Sequence, residues 1–216
     1  TNKFTKFLVN DIDWKFRDKN FISGINGKFI SKLKNINYEA KNVPSLKSEG
    51  TSELFGALGY IFDLDLYKKS DDLTEHFFTP KAFFRYSPDF MKKQDSDVKL
   101  NHLNLFNIDR FDENNNFESG SSVTLGFDYE LKKNDKNFKL RAGQVINQRE
   151  NNKKPSSSSL DEKLSDFVGN STFSFNENIS INYNFALDQN YNDLNYNDLG
   201  TSFTFDQFKF NLNYLE

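Results

Sequence analysis

Cysteine is absent from the 216 residues, which excludes disulfides and thiolate metal sites and leaves the redox compartment unread. No apolar run approaches the roughly 18 residues of a membrane-spanning helix, and no basic-apolar leader opens the chain at Thr1, so the expectation is a soluble, mature or fragmentary chain. A basic stripe is missing too: the net charge is -3, the pI is near 5.5, and lysines alternate with acids, which argues against a nucleic-acid partner. Only 36% of residues are hydrophobic and the mean hydropathy is -0.74, too little for a thick core. What the chain has instead is rings. Aromatics make up 16%, with 25 Phe and 9 Tyr, and rings favour strands and interfacial belts.

The rings are placed with period two. Val123, Leu125, Phe127, Tyr129 and Leu131 are separated by Thr124, Gly126, Asp128 and Glu130. Strands are expected over 119–131, 138–147, 166–175, 179–188, 199–205 and 208–215. Upstream, Leu54, Leu58, Tyr60, Phe62, Leu64 and Leu66 form a similar stripe, as do Phe21, Ile25, Phe29 and Leu33. Segments 4–16 and 74–86 are less regular candidates, and about ten or eleven strands result. Residues 107–117, 148–165 and 189–198 read as long connections, and 132–137, 176–178 and 206–207 as short ones. This alternation of long with short marks an up-and-down meander with two different ends.

A meander in water must bury its apolar face inside, but the interior of a closed barrel of roughly ten long strands is too wide for side chains to fill. In a membrane barrel the faces reverse: rings meet lipid, and Thr, Ser, Asn, Asp and Lys meet a hydrated lumen. The expected fold is therefore all-β, an antiparallel up-and-down transmembrane β-barrel. Two alternatives stay open: a general porin or TonB-type outer-membrane barrel, and a soluble secreted β-sandwich that binds a partner.

Catalytic and metal motifs are sparse. His76 and His102 stand in no nucleophile elbow or metal spacing and read as solvated or luminal side chains. The segment "DRFDENNN" (109–116) lacks the glycine and terminal glutamate of a calcium loop and reads as solvated. The duplication "NYNDLNYNDL" (190–199) reads as a tolerant loop, and "KKPSSSS" (153–159) as a flexible one. Gly24, Gly27, Gly56 and Gly59 fall inside strand patterns, where close packing is the simplest role. No enzyme, cofactor or metal is expected.

One ordered series is more specific. "FFTPKAFFRYSP" (77–88), then "SDVKLNHLNLFNIDRFDENNNFESGSSVTLGFDYEL" (96–131), "LRAGQVI" (140–146) and "SDFVGNSTFSFNENISINYNFALD" (165–188) resemble the barrel of the LptD family of outer-membrane lipopolysaccharide-assembly proteins. The resemblance covers residues 74–216 well and the earlier part weakly. It implies a large barrel in the outer membrane of a Gram-negative bacterium. A lipoprotein partner plugs it, periplasmic bridge proteins deliver lipopolysaccharide to it, and a lateral seam releases that lipid into the outer leaflet. Residues 1–216 are then expected to be an internal piece of one barrel domain, without a periplasmic domain. Within "LFNIDRF", Asp109 and Arg110 are candidates for the substrate path, with an ion pair between the two as the competing role.

Overall fold

The strict alternation of ring and polar residue becomes one continuous sheet. The computed structural model describes residues 2–22, 24–44, 46–88, 90–94 and 96–216. Its strands are β1 (Phe4–Ile22), β2 (Ile25–Lys41), β3 (Thr51–Leu64), β4 (Leu66–Lys69), β5 (Glu75–Ser87), β6 (Gly120–Lys133), β7 (Lys136–Asn147), β8 (Phe167–Ser174), β9 (Ile179–Leu187), β10 (Leu194–Phe205) and β11 (Phe208–Leu215). All pair antiparallel, in the order β1-β2-β3-β5-β6-β7-β8-β9-β10-β11, with β4 on β5. The sheet is not closed: β1 and β11 are its edges, and all eleven strands belong to one hydrogen-bonded sheet. One short 3-10 turn, Ser156–Ser158, is the only helical element among the described residues, and no helix there is long and apolar enough to cross a membrane.

Successive side chains of a strand point to opposite faces, and the register sorts the sequence accordingly. Phe84, Val123 and Ile146 share one row across β5, β6 and β7, and Ser171 follows Leu140 on the same face of β8. We call this the ring face. Trp14 packs edge-on against Phe29 (6.4 Å between centroids), Phe78 against Phe127 (5.6 Å), and Phe138 against Phe173 (6.5 Å). Its large side chains are left bare: Trp14 is 68% exposed, Leu58 52% and Leu212 67%. Phe21, expected on this stripe, lies outside the residues whose side chains are described.

The break between β3 and β4 falls beside a proline. Asp63↔Lys81 and Leu66↔Phe78 keep one register, so the residue facing Leu64 is Pro80, which has no N–H to donate. Pro80 pairs in register with Phe127 on its other side, so only the β3 side of the ladder lapses. Gly24 departs from its expected place in a strand: it stands in the β1–β2 turn with φ +89°, a conformation that suits glycine. Connections alternate from end to end. Tight turns such as Asn134–Asp135 and Asp206–Gln207 close one end, while the long connections β2–β3, β5–β6, β7–β8 and β9–β10 leave from the other, the last of them residues 188–193. The last of these is shorter than expected, because β10 begins at Leu194, the final residue of the first "NYNDL" copy, and takes in the whole of the second.

Candidate functional site

The face opposite the rings is divided in two. Over β2 to β7 and the adjoining ends of β8 and β9, around Val168 and Ala186, it is roofed by described residues of the β5–β6 and β7–β8 connections, and over the rest of β8 to β11 it is open. The roof is held first by apolar contact. Ile36, Phe55, Ala57 and Phe83 from the sheet bury Ile108 and Phe117, and Val145 and Val168 bury Met91, Leu100, Leu105 and Leu160. Glycine makes room for it. Gly126 and Gly143 face each other across β6 and β7; a Cβ on Gly143 would stand 2.8 Å from Leu105 Cδ2, and one on Gly126 3.0 Å from the Phe106 ring. Residues 153–159 are therefore part of a packed roof instead of a flexible loop: Lys154, Ser158 and Leu160 are 5%, 1% and 1% exposed.

Charge locks what the apolar contacts place. Arg110 Nε and Nη2 donate to Glu118 Oε2 and Oε1 at 2.8 Å each, and Nη2 also donates to Ser122 Oγ at 2.9 Å. Lys154 Nζ bridges Glu118 Oε1 and Asn147 Oδ1 at 3.2 Å each. Arg85 Nε donates to the Ile108 carbonyl at 2.6 Å, and its Nη2 reaches the Glu118 carbonyl. At the other end Lys34 Nζ donates to Asp109 Oδ2 at 3.3 Å and to the Glu113 carbonyl. Burial pushes the Glu118 carboxyl up, but Arg110, Arg85 and Lys154 overcome it and hold Glu118 well below the usual carboxylate range. Burial wins at Asp109, whose carboxyl is raised in spite of Lys34, and at Lys154, whose ammonium is lowered in spite of Glu118.

Asp109 and Arg110 thus sit where the long connection meets the sheet, 5% and 2% exposed. They do not pair with each other: Asp109 takes Lys34 and Arg110 takes Glu118. Of the segment expected to be solvated, residues 109–111 and Asn116 are buried, while Asp112, Asn114 and Asn115 remain exposed. The sequence reading missed Lys34, Arg85, Glu118 and Lys154. The available signal was a charge at an inward position of a ring-rich strand, as Arg85 is between Phe84 and Tyr86.

The bare part of this face carries amides and hydroxyls. Asn170 Nδ2 donates to Asn182 Oδ1 (2.7 Å) and Asn184 Oδ1 (2.8 Å), Asn184 Nδ2 donates to Asp198 Oδ2 (3.1 Å), and Ser202 Oγ donates to Asn211 Oδ1 (2.7 Å). A hollow of about 420 Å³ opens among Asn182, Tyr196, Asp198, Ser202 and Asn213. Such a surface offers many neutral donors and acceptors beside the Asp198 carboxylate, suited to hydrating and pairing with polar groups.

The histidines join neither the charge lock nor the amide surface. His76 lies on the ring face, not in solvent or on the polar face, with Nδ1 2.8 Å from the Tyr129 hydroxyl. His102 is half-buried in the roof, its imidazole lowered from 6.5 by burial and by the Arg141 charge. Among the described residues no group of three or more His, Cys, Asp or Glu could hold a metal.

No curated protein matches the chain. The model of the LptD family, LPS transport system D, matches residues 34–216, from the middle of β2 to the last residue, and the chain belongs to that family.

Proposed function

We propose that the chain forms part of an outer-membrane β-barrel whose ring face meets hydrocarbon and whose opposite face lines a hydrated path for lipopolysaccharide on its way to the outer leaflet. The family supports lipopolysaccharide transport at the outer membrane. The single observation that carries the finer reading is the segregation of the two faces. Leaving about half of each of ten large apolar side chains in water forgoes on the order of 10 kcal/mol of burial, as much as the whole net stability of a domain. A lipid surface removes that cost, and in it a sheet must close so that no edge is left open. The long connections then project from the cell and the tight turns face the periplasm.

The work is transport, with no covalent step. Amides of β8 to β11 exchange hydrogen bonds with the saccharide of a passing molecule, while its acyl chains keep to lipid. Asp109 and Arg110 act at the boundary of this path, fixing the roof so that the covered half of the lumen stays shut. A plug lipoprotein and periplasmic bridge proteins are the partners this role requires.

The test is bulk placed in the path. Asn182→Phe and Asn184→Phe in the full-length protein should lower lipopolysaccharide at the cell surface and raise envelope permeability, with assembly in the outer membrane unchanged. Normal surface lipopolysaccharide in the double variant contradicts the path. A large open-pore current across planar bilayers points instead to a solute channel.

A further inference from the structure

The ring face is not evenly convex. Phe29, Tyr60, Phe84, Val123 and Ile146 are partners in register across β2, β3, β5, β6 and β7, and Leu58, Tyr86 and Ser121 form the next row toward the long connections. Between the rows runs an open groove of about 670 Å³, within the roughly 300–1,000 Å³ that small-molecule sites occupy. A second hollow of about 360 Å³ shares Leu58 and Tyr86 with it and extends it over β2 and β3.

Its polarity runs in one direction. Phe29, Leu58, Tyr60 and Phe84 make one end mainly rings and hydrocarbon, and Ser121 and Gln148 make the other end polar, beside the long connections. No charged head projects into it: the backbone of Arg85 borders the groove, but its guanidinium is spent on the carbonyls of Ile108 and Glu118 behind the sheet. The groove also runs along a seam. β5 pairs with β3 only as far as Leu58↔Tyr86, and the Ser87 hydroxyl donates to the Gly56 carbonyl at 2.8 Å where the ladder stops.

The geometry points to a binding site for one acyl chain of a membrane lipid, laid across the strands with its polar head at Ser121 and Gln148. This rests on the ring face meeting hydrocarbon. A flat or convex face lets bilayer lipids slide past, whereas a groove walled on both sides by side chains holds one chain and fills the seam with methylenes. Without a charge in the walls, selection falls on the chain and not on an anionic head.

The test uses the full-length protein in nanodiscs containing a phosphatidylethanolamine with a photoactivatable acyl chain. Crosslinks should be enriched about tenfold at Leu58 and Tyr86 over Leu212 on the same face, corresponding to about 1.4 kcal/mol of preference. Native mass spectrometry should find one retained lipid that Leu58→Trp with Ser121→Phe removes. Crosslinks spread evenly over the ring face overturn the groove and leave the membrane reading standing. Crosslinks absent from the ring face altogether overturn both. The map on the unaltered protein decides the matter even if the filled variant fails to fold.

Discussion

The guanidinium of Arg110 lies against the carboxylate of Glu118 in a two-pronged pair, 2.8 Å on each prong, with both side chains shut away from water. Removing one partner of a buried pair typically costs about 3–5 kcal/mol, because the other is left charged and desolvated. Arg110→Ala should therefore free residues 88–119 while the strand ladder persists. Hydrogen exchange should rise across the roof and not in β8 to β11. Unchanged exchange in 88–119 rules out the pin.

Acid should act through the same residue. The folded value of Glu118 lies below its ordinary 4.5, so its contribution is complete above that pH and is lost as pH falls toward the depressed value. Asp109 has the opposite sign. Its raised carboxyl costs stability while charged and is relieved by protonation. Glu118 is held by three cations and Asp109 by Lys34, so the net effect should follow Glu118. Exchange in the roof should increase below about pH 4.5, and Glu118→Gln should be loose already at neutral pH with a flatter acid profile. A profile unchanged by that substitution contradicts the assignment.

The glycine seat makes a separate prediction. A side chain on Gly143 would meet the Leu125 carbonyl oxygen at 2.5 Å and Leu105 at 2.8 Å. Gly143→Val should destabilise by about 1–3 kcal/mol through overpacking, read as a lower denaturant midpoint, and Leu105→Ala should recover part of the loss by vacating the space. No recovery in the double variant means that the backbone contact, not the roof, sets the cost.

Period-two alternation made the strands legible, since each residue's face follows from parity alone. The order of long and short connections was legible for the same reason: turn residues interrupt the period. The roof was not. Asp109 and Glu118 sit in segments as polar as any solvated loop, and only partners from distant strands, Lys34 for one and Arg85 for the other, show that they are buried. The serine run at 156–159 misled in the same way at its second half, because Ser158 is buried in the roof with its Oγ donating to the Pro155 carbonyl at 2.6 Å, while Ser156 and Ser157 stay exposed. The β3–β4 break could have been read from Pro80, but only once its partner strand was known.

The central claim concerns which solvent lies on which face, and the cysteine-free chain permits a direct measurement. Single cysteines along β9 in the bilayer-reconstituted protein carry a spin label whose relaxation is compared with oxygen and with a water-soluble nickel chelate. Ile181, Tyr183 and Phe185 should respond to oxygen and Asn182 and Asn184 to the chelate, alternating residue by residue. Equal response to the chelate at both sets would put water on the ring face and contradict the account.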